Sequence, residues 1–315
     1  MSGERNNESD AAYQGLRLGV SIAQGTASAT PELAELAQIK APDLDHHDKA
    51  EVLNALHDLM VGPSVAPALE WLCESKILHQ LMPEVAATVN FTQDEGRAHK
   101  DVWKHTVQVV GQAPAELTIR WAALLHDIGK VPTRATSDGG KVTFYGHAEI
   151  GARMFDKIAR RLKFPKDLAA EIRWLIINHQ RVSQYEDSWT DSAVRRFDRD
   201  LKPHLESLFK LSRADITSAR QHKREAAWTR IDQLKTRINA LREIDARVPP
   251  LPSGIGNLLM AHFSLKPSRE IGKLKEALEA AIERGVLAPH EEPGVYIDYL
   301  EANESSLLAK LKEAK

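Results

Sequence analysis

The segment AALLHDIGK, residues 122–130, places a histidine beside an aspartate at the end of an apolar run. Burying an ionisable side chain without a partner costs on the order of several kcal/mol. The sequence therefore predicts that further groups, brought in by the fold, hold His126 and Asp127.

Other ionisable side chains lie on the apolar faces of neighbouring predicted helices. Residues three, four or seven apart share a helix face, so the apolar neighbours of a group indicate where it points. His105 follows Val102 by three residues and precedes Val109 by four, which directs it inward. The same reasoning yields an inward-facing set of six: His105, His126, Asp127, His147, His179 and Asp215.

A shared metal centre would satisfy the whole set, whereas a single buried histidine is usually satisfied by a hydrogen bond. Imidazole nitrogens and carboxylate oxygens predict Mn, Fe, Co, Ni or Zn, and the choice among these stays open. Ca²⁺ and Mg²⁺ prefer oxygen cages. Because Cys73 is the single cysteine and the ligands spread over residues 105–215, we expect an open catalytic centre rather than a closed zinc site.

The six ligands are enough for one or two ions. We predict a first ion at His105, His126, Asp127 and Asp215, with Asp127 bridging to a second ion at His147 and His179. Such a centre lowers the pKa of bound water to about 7, which predicts phosphoester hydrolysis by attack of a metal-bound hydroxide.

Basic residues near the HD pair are candidates for phosphate binding. Lys130 could neutralise a phosphate oxygen or pair with a carboxylate, and we treat Asp127 and Lys130 as the candidate catalytic residues. Arg134 and Arg153 are weaker candidates for substrate binding. A helix-terminal lysine on the surface is the simpler explanation for Lys130 and stays open.

The elements that must position these residues are helices. From Pro31 onward apolar residues recur at spacings of three and four, and only GGKVTFYG, residues 139–146, suggests a short strand pair. Residues 1–30 are rich in small and polar residues without a period, which predicts a flexible N-terminal segment. VPPLPSG at 248–254 predicts a linker or sharp turn.

Residues 225–247 predict a long helix with a narrow apolar stripe formed by Ile231, Leu234, Ile238 and Leu241. Such a stripe packs against another helix, which a homodimer could supply. Residues 220–247 also carry eight Lys and Arg against four acidic residues. This excess is either a solvated face or a local patch for a polyanion.

Composition limits the class of protein. The 315 residues contain 42 Lys and Arg against 44 Asp and Glu, a net charge of -2 that excludes a strongly basic nucleic-acid-binding chain. The chain has no apolar run of the roughly 18 residues that span a membrane, and its first residues do not resemble a signal peptide. We therefore predict a cytoplasmic protein without a membrane partner.

The ordered motifs resemble a known family. HDIGK after an apolar helix, with His105 upstream and Asp215 in RADITSA downstream, resembles the HD-domain metal-dependent phosphohydrolase superfamily. HKDVWKHTVQVV, RWAALLHDIGKVPTR, FYGHAEIGARM and RRLKF are similar to the HD-containing C-terminal part of bacterial tRNA nucleotidyltransferases, the CCA-adding and poly(A) polymerase family. LLMAHFSLKPSREIGKLKEALEAAIERG resembles the tail of that family.

The resemblance implies an all-α fold with a defined order of segments. We expect a flexible segment at 1–30, a neck-like helical scaffold at 31–95, an HD-domain helical bundle at 96–224 and a helical tail at 225–315. It also places metal-binding roles on the six inward-facing residues. A second pair, His57 and Asp58, lacks the following Gly-Lys and is interpreted as structural, and His99 is a weaker candidate for substrate contact.

One departure from the family shapes the functional hypothesis. The nucleotidyltransferase head, with its glycine turn and catalytic Asp-x-Asp pair, is not evident, and no glycine turn precedes Asp43 and Asp45 in PDLDHH. Nucleotide addition by this chain alone is therefore not expected. The resemblance implies a phosphatase or phosphodiesterase acting on a nucleotide or on a terminal or 2′,3′-cyclic phosphate of RNA. The alternative is a non-catalytic module that binds tRNA, another RNA or a partner, such as the tail part of a split tRNA nucleotidyltransferase.

Overall fold

The computed structural model describes residues 2–92, 101–137, 140, 142–247, 249–304 and 308. These residues are mostly helical, which confirms the predicted all-α class. They form two compact units, Met1–Tyr185 with His204–Ile231 and Glu186–Pro203 with Asp232–Lys315. The predicted boundaries after residues 95 and 224 do not coincide with these units.

The first unit begins with six helices that pack on one another. They are α1 (Ser2–Ala23), α2 (Pro31–Lys40), α3 (Lys49–Met60), α4 (Val65–Glu74), α5 (Ile77–Leu81) and α6 (Pro83–Ala86), with a 3₁₀ turn at Ala41–His46. α3 begins where the Asp48 carboxylate accepts the amide hydrogens of Ala50 and Glu51, which would otherwise have no partner. Of these helices, α2 to α6 lie within residues 31–95, where the sequence predicts a helical scaffold.

The prediction of a flexible segment at residues 1–30 is wrong. Ser2–Ala23 forms α1, and its residues Leu16 and Ala23 are completely buried. A Cβ added at Gly19 would lie only 3.0 Å from the Trp71 ring, and the Trp71 indole donates to the Gly15 carbonyl at 2.9 Å. The small residues that indicated flexibility instead allow α1 to approach α3 and α4 closely.

The next elements carry the inward-facing set. They are α7 (Val102–Gln112), α8 (Leu117–Leu125), α9 (Lys130–Thr133), β1 (Ala135–Thr136), β2 (Val142–Thr143), α10 (His147–Arg161) and α11 (Lys166–Asn178). β1 and β2 pair antiparallel; β2 lies within the segment 139–146 that predicted a strand pair, whereas β1 precedes it. α12 (Asp191–Leu201) lies in the second unit, and α13 (Leu205–Ala214) returns to the first.

α8 lies at the centre of this bundle, because nearly all of its residues are buried. It contacts α7, α11 and α13, and α10 packs against α11. Arg120 is buried on α8, and its guanidinium donates to the carbonyls of Met60 at 2.7 Å and Gly62 at 2.6 Å. α8 is thereby tied to the end of α3.

The second unit contains α12, the greater part of α14 (Gln221–Arg247), α15 (Ile255–Phe263), α16 (Arg269–Glu283) and α17 (Pro293–Asn303). The apolar stripe of α14 is buried in the single chain: Ile231, Leu234, Ile238 and Leu241 are all at most 8% exposed. Ion pairs Arg195–Asp245, Arg237–Asp191 and Arg242–Asp198 join α12 to α14. The stripe therefore gives no reason to invoke a homodimer.

A separate apolar core holds α15, α16 and α17 together, with Leu259, Leu274, Tyr296 and Leu300 completely buried. The Tyr296 hydroxyl donates to the Ala288 carbonyl at 3.0 Å. Among the described residues, no helix is both long and apolar enough to cross a membrane.

Candidate metal centre

Five helices deliver the six inward-facing side chains, four of those helices at one of their ends. His126 and Asp127 follow the last residue of α8, His179 follows α11, and Asp215 follows α13. His147 is the first residue of α10, whereas His105 lies within α7. Because four of these helices end or begin beside the same space, their terminal side chains approach it from different directions.

The structure brings all six predicted side chains together. His105 Nε2 lies 3.0 Å from Asp215 Oδ1, and His126 Nε2 lies 3.5 Å from the same oxygen. His147 Nε2 and His179 Nε2 are 3.3 Å apart. Four imidazoles and two carboxylates therefore point their ligand atoms at a shared space.

Asp127 lies between two groups of histidines. Its Oδ2 is 3.2 Å from His126 Nε2 and 3.7 Å from His105 Nε2. Its Oδ1 is 3.6 Å from His147 Nε2 and 3.9 Å from His179 Nε2. The two sets that could each hold an ion, His105–His126–Asp127 and Asp127–His147–His179, share this one carboxylate.

The far nitrogen of three of the four imidazoles faces a backbone carbonyl. Nδ1 of His126 donates to the Ala123 carbonyl at 2.7 Å, Nδ1 of His179 to Ile176 at 2.7 Å, and Nδ1 of His147 to Phe144 at 2.9 Å. A backbone carbonyl can only accept, so the hydrogen must be on Nδ1. In the neutral rings the Nε2 lone pairs therefore point into the cluster, as ligation requires.

Two contacts in the cluster are unfavourable while its imidazole rings are neutral. The Nε2 lone pairs of neutral His147 and His179 face each other at 3.3 Å, and neither can donate to the other. His126 Nε2 is buried without a well-aligned hydrogen bond, although carboxylate oxygens lie on two sides of it. A divalent cation relieves both contacts, so the donor set fits such an ion.

The electrostatic environment favours the charged forms of Asp127 and His126 and the neutral form of His179. Burial acts to raise the pKa of Asp127, but His126 and Lys130 outweigh it and hold that pKa well below its usual range. Burial acts to lower the pKa of His126, yet Asp127 and Asp215 raise it to about 10. Burial and the His126 charge lower the pKa of His179 to about 4. In the metal-free protein, a proton on His126 thus offsets carboxylates that a metal would otherwise neutralise.

The centre is open on one side. The side chains of Asp215 and His105 are 34% and 19% exposed, whereas those of His126 and Asp127 are 1% and 3% exposed. Solvent therefore reaches the cluster from the His105 and Asp215 side. This asymmetry is typical of a catalytic metal site rather than a structural one.

Of the three basic residues predicted to bind phosphate, Lys130 contacts the candidate metal centre, whereas Arg134 and Arg153 are exposed. Lys130 Nζ donates to Asp127 Oδ2 at 2.6 Å and lies 5.8 Å from the centre of the Phe144 ring, so it pairs with a carboxylate of the centre. Arg134 is exposed at the end of α9. Arg153 is exposed on α10, about 120° around the helix from His147. His99 lies outside the described residues.

The second HD pair has a structural environment. His57 packs edge-on against the rings of Trp121 and Phe164, and Asp58 forms an ion pair with Arg17 on the surface.

Sequence reasoning missed Thr217, whose hydroxyl lies 3.0 Å from His105 Nδ1. No local pattern marks this threonine, because its partner lies 112 residues away in the chain.

These histidines and aspartates, gathered from five helices around one space, make this part of the chain a helical domain with a candidate metal site. Residues 99–220 match the family model of the HD domain. This match confirms the resemblance to the HD domain that the motifs of this part of the chain show.

Most of the chain is also similar to tRNA nucleotidyltransferases. It is 31% identical over 269 residues to the A-adding tRNA nucleotidyltransferase of Deinococcus radiodurans, covering 83% of this chain and 60% of the relative. It is 29% identical over 288 residues to the CC-adding tRNA nucleotidyltransferase of Thermus thermophilus, covering 90% and 63%. The matches thus span about three fifths of the length of these relatives.

Proposed function

We propose that this protein is a metal-dependent phosphohydrolase that acts on a nucleotide or on a terminal or 2′,3′-cyclic phosphate of RNA. The observation that carries the proposal is the convergence of four Nε2 atoms and two carboxylates, with the Nδ1 hydrogens of three of the histidines donated elsewhere. This arrangement offers ligands to a cation and remains open to solvent.

One or two ions of Mn, Fe, Co, Ni or Zn fit the donor set. His105, His126, Asp127 and Asp215 would hold the first ion, and Asp127, His147 and His179 the second. When bound, a divalent cation acts as a Lewis acid on a phosphoryl oxygen and lowers the pKa of a coordinated water.

The protein's own groups orient and balance the charge of this centre. Asp127 presents one oxygen to each group of histidines and therefore fixes the two groups relative to each other. The Lys130 ammonium lies against the same carboxylate and supplies positive charge that a phosphate would also attract. Arg134 and Arg153 are proposed as more distant phosphate contacts.

The experiment is a hydrolysis assay with metal-free protein reloaded with Mn²⁺, Ni²⁺ or Co²⁺. We expect cleavage of bis-p-nitrophenyl phosphate or of a 2′,3′-cyclic nucleotide, and loss of at least about 10³-fold in rate in His126→Ala/Asp127→Ala. His262→Ala is the matched control, since this histidine is exposed in the second unit and pairs with Glu301. Full activity in the double variant would reject the mechanism.

A non-catalytic RNA-binding module is the second candidate, and the similarity to tRNA nucleotidyltransferases favours it. The exposed basic residues of α14, among them Lys223 and Arg230, would contact the phosphate backbone. This candidate predicts tRNA binding that weakens with salt, is unaffected by chelator, and is accompanied by no hydrolysis of any phosphoester tested.

A further inference from the structure

His105 differs from the other three histidines in how its ring is oriented. Ala123, Phe144 and Ile176 each stand three residues before the histidine whose Nδ1 they accept. Ala123 and Ile176 lie in the last turns of α8 and α11, where carbonyls lack helical partners. Phe144 lies in the loop before α10.

His105 cannot use the carbonyl that stands three residues before it. It lies in the first turn of α7, and the carbonyl three residues earlier, that of Val102, is used by the helix itself. Another acceptor is therefore needed to place the hydrogen on Nδ1 and leave Nε2 free to bind a metal. Thr217 Oγ1, 3.0 Å from His105 Nδ1, is in the position to accept it.

The segment that carries Thr217 also carries a ligand of the centre. Asp215 stands two residues earlier, and its Oδ1 lies 3.0 Å from His105 Nε2. The same segment is attached to α7 a second time, because Gln112 Nε2 donates to the Ala214 carbonyl at 2.6 Å. Both ends of α7 thus engage this segment on the open side of the centre.

We propose that Thr217 is a positioning residue: its hydroxyl accepts the Nδ1 hydrogen of His105 and thereby holds the Nε2 lone pair toward the metal and Asp215. This inference rests on the metal centre of the proposed function. It assigns to one hydroxyl the task that backbone carbonyls perform for the other three imidazoles.

The test compares Thr217→Val, which keeps the shape and removes the hydroxyl, with Thr217→Ser, which keeps the hydroxyl. Mn²⁺ is titrated into metal-free protein and the free ion is measured by electron paramagnetic resonance. We expect Thr217→Val to bind Mn²⁺ at least about 10-fold more weakly than wild type, and Thr217→Ser to bind it with an affinity within about threefold of wild type. Ser218→Ala is the control, since that hydroxyl accepts the Arg220 amide hydrogen instead.

Two further measurements separate positioning from folding. Urea unfolding with chelator present checks that the variants fold, and Thr217→Ala replaces the valine variant if that one does not. Nitrogen-15 spectra of the histidine rings should show His105 protonated on Nδ1 in wild type and Thr217→Ser, and a mixture of tautomers once the hydroxyl is removed.

The outcomes are distinct. Wild-type Mn²⁺ affinity in Thr217→Val, or failure of serine to restore it, overturns the inference. If Mn²⁺ binding follows the expected pattern but no phosphoester is hydrolysed, the role of Thr217 stands and the phosphohydrolase proposal falls. If the wild-type protein binds none of the five transition metals, both fall.

Discussion

Replacing Gly129 by alanine tests how closely the backbone around the metal centre is packed. Gly129 follows the HD pair by two residues, and its φ of -70° is open to any residue. An added Cβ would nevertheless lie 2.0 Å from the His147 carbonyl oxygen and 2.6 Å from the Gly151 amide nitrogen. Glycine is required here by the close approach of α10 rather than by the backbone angle.

The magnitude follows from these distances. Ordinary contact with a Cβ begins at 3.4 Å, so the His147 carbonyl must move by about 1.4 Å to admit the methyl group. Metal–ligand distances tolerate changes of only about 0.2 Å, and His147 is the residue that moves. We expect Gly129→Ala to bind the ion at Asp127, His147 and His179 at least about 10-fold more weakly and to lose about 1–3 kcal/mol of stability.

The assay is isothermal titration of metal-free protein with Mn²⁺ or Co²⁺, together with thermal unfolding in chelator. Gly111→Ala is the matched control because its Cβ would meet only Ala66, at an ordinary 3.5 Å. That variant should bind metal normally and gain up to about 1 kcal/mol of helix stability. If Gly129→Ala binds metal with the stoichiometry and affinity of Gly111→Ala, the packing argument is refuted.

Two other variants probe α8 and Lys130. Arg120→Met should lower the free energy of unfolding by about 3 kcal/mol, because buried carbonyls of Met60, Gly62 and Ala113 lose their donor. Urea unfolding measures this free energy. As a control, Arg160→Met replaces an exposed arginine and should change the free energy of unfolding by less than about 0.5 kcal/mol. Lys130→Met removes a cation 2.6 Å from Asp127, so this variant should bind Mn²⁺ as tightly as wild type or more tightly. Its kcat/KM for a phosphoester should fall at least about 10-fold. Weaker Mn²⁺ binding in this variant would contradict a charge-balancing role for Lys130.

The fold class and the inward-facing residues could be predicted because both depend on local spacing. Apolar residues three and four apart define helices and the face each helix buries, so the positions of His105 and His179 relative to Val109 and Leu175 were readable from the chain. A strand pair was predicted around residues 139–146; β2 lies within that segment, whereas its partner β1 precedes it. The matched HD domain at 99–220 agrees with the motifs that suggested it.

Residues 1–30 show where local pattern misleads. Their glycines and alanines have the composition of a flexible segment, but the same small side chains let α1 lie directly against Trp71 and Leu59. Composition does not distinguish these cases, because the difference depends on whether another helix is present at contact distance. The apolar stripe of α14 is a similar case. Its spacing predicts a packing partner but does not say whether the partner is a second chain or another part of the same chain. The fold buries the stripe within the chain, where ion pairs join α14 to α12.

The sequence alone determined the helical character of the chain from Pro31 onward, the faces that carry the six candidate ligands and the chemical types of those ligands, since each depends on residues within about two helical turns. Tertiary structure decided that these groups meet, that Asp127 turns one oxygen toward each set of histidines, and that Lys130 pairs with Asp127. It also decided that Thr217 reaches His105 across 112 residues. Helical periodicity states which way a side chain points but not what it faces, because that depends on how the helices pack.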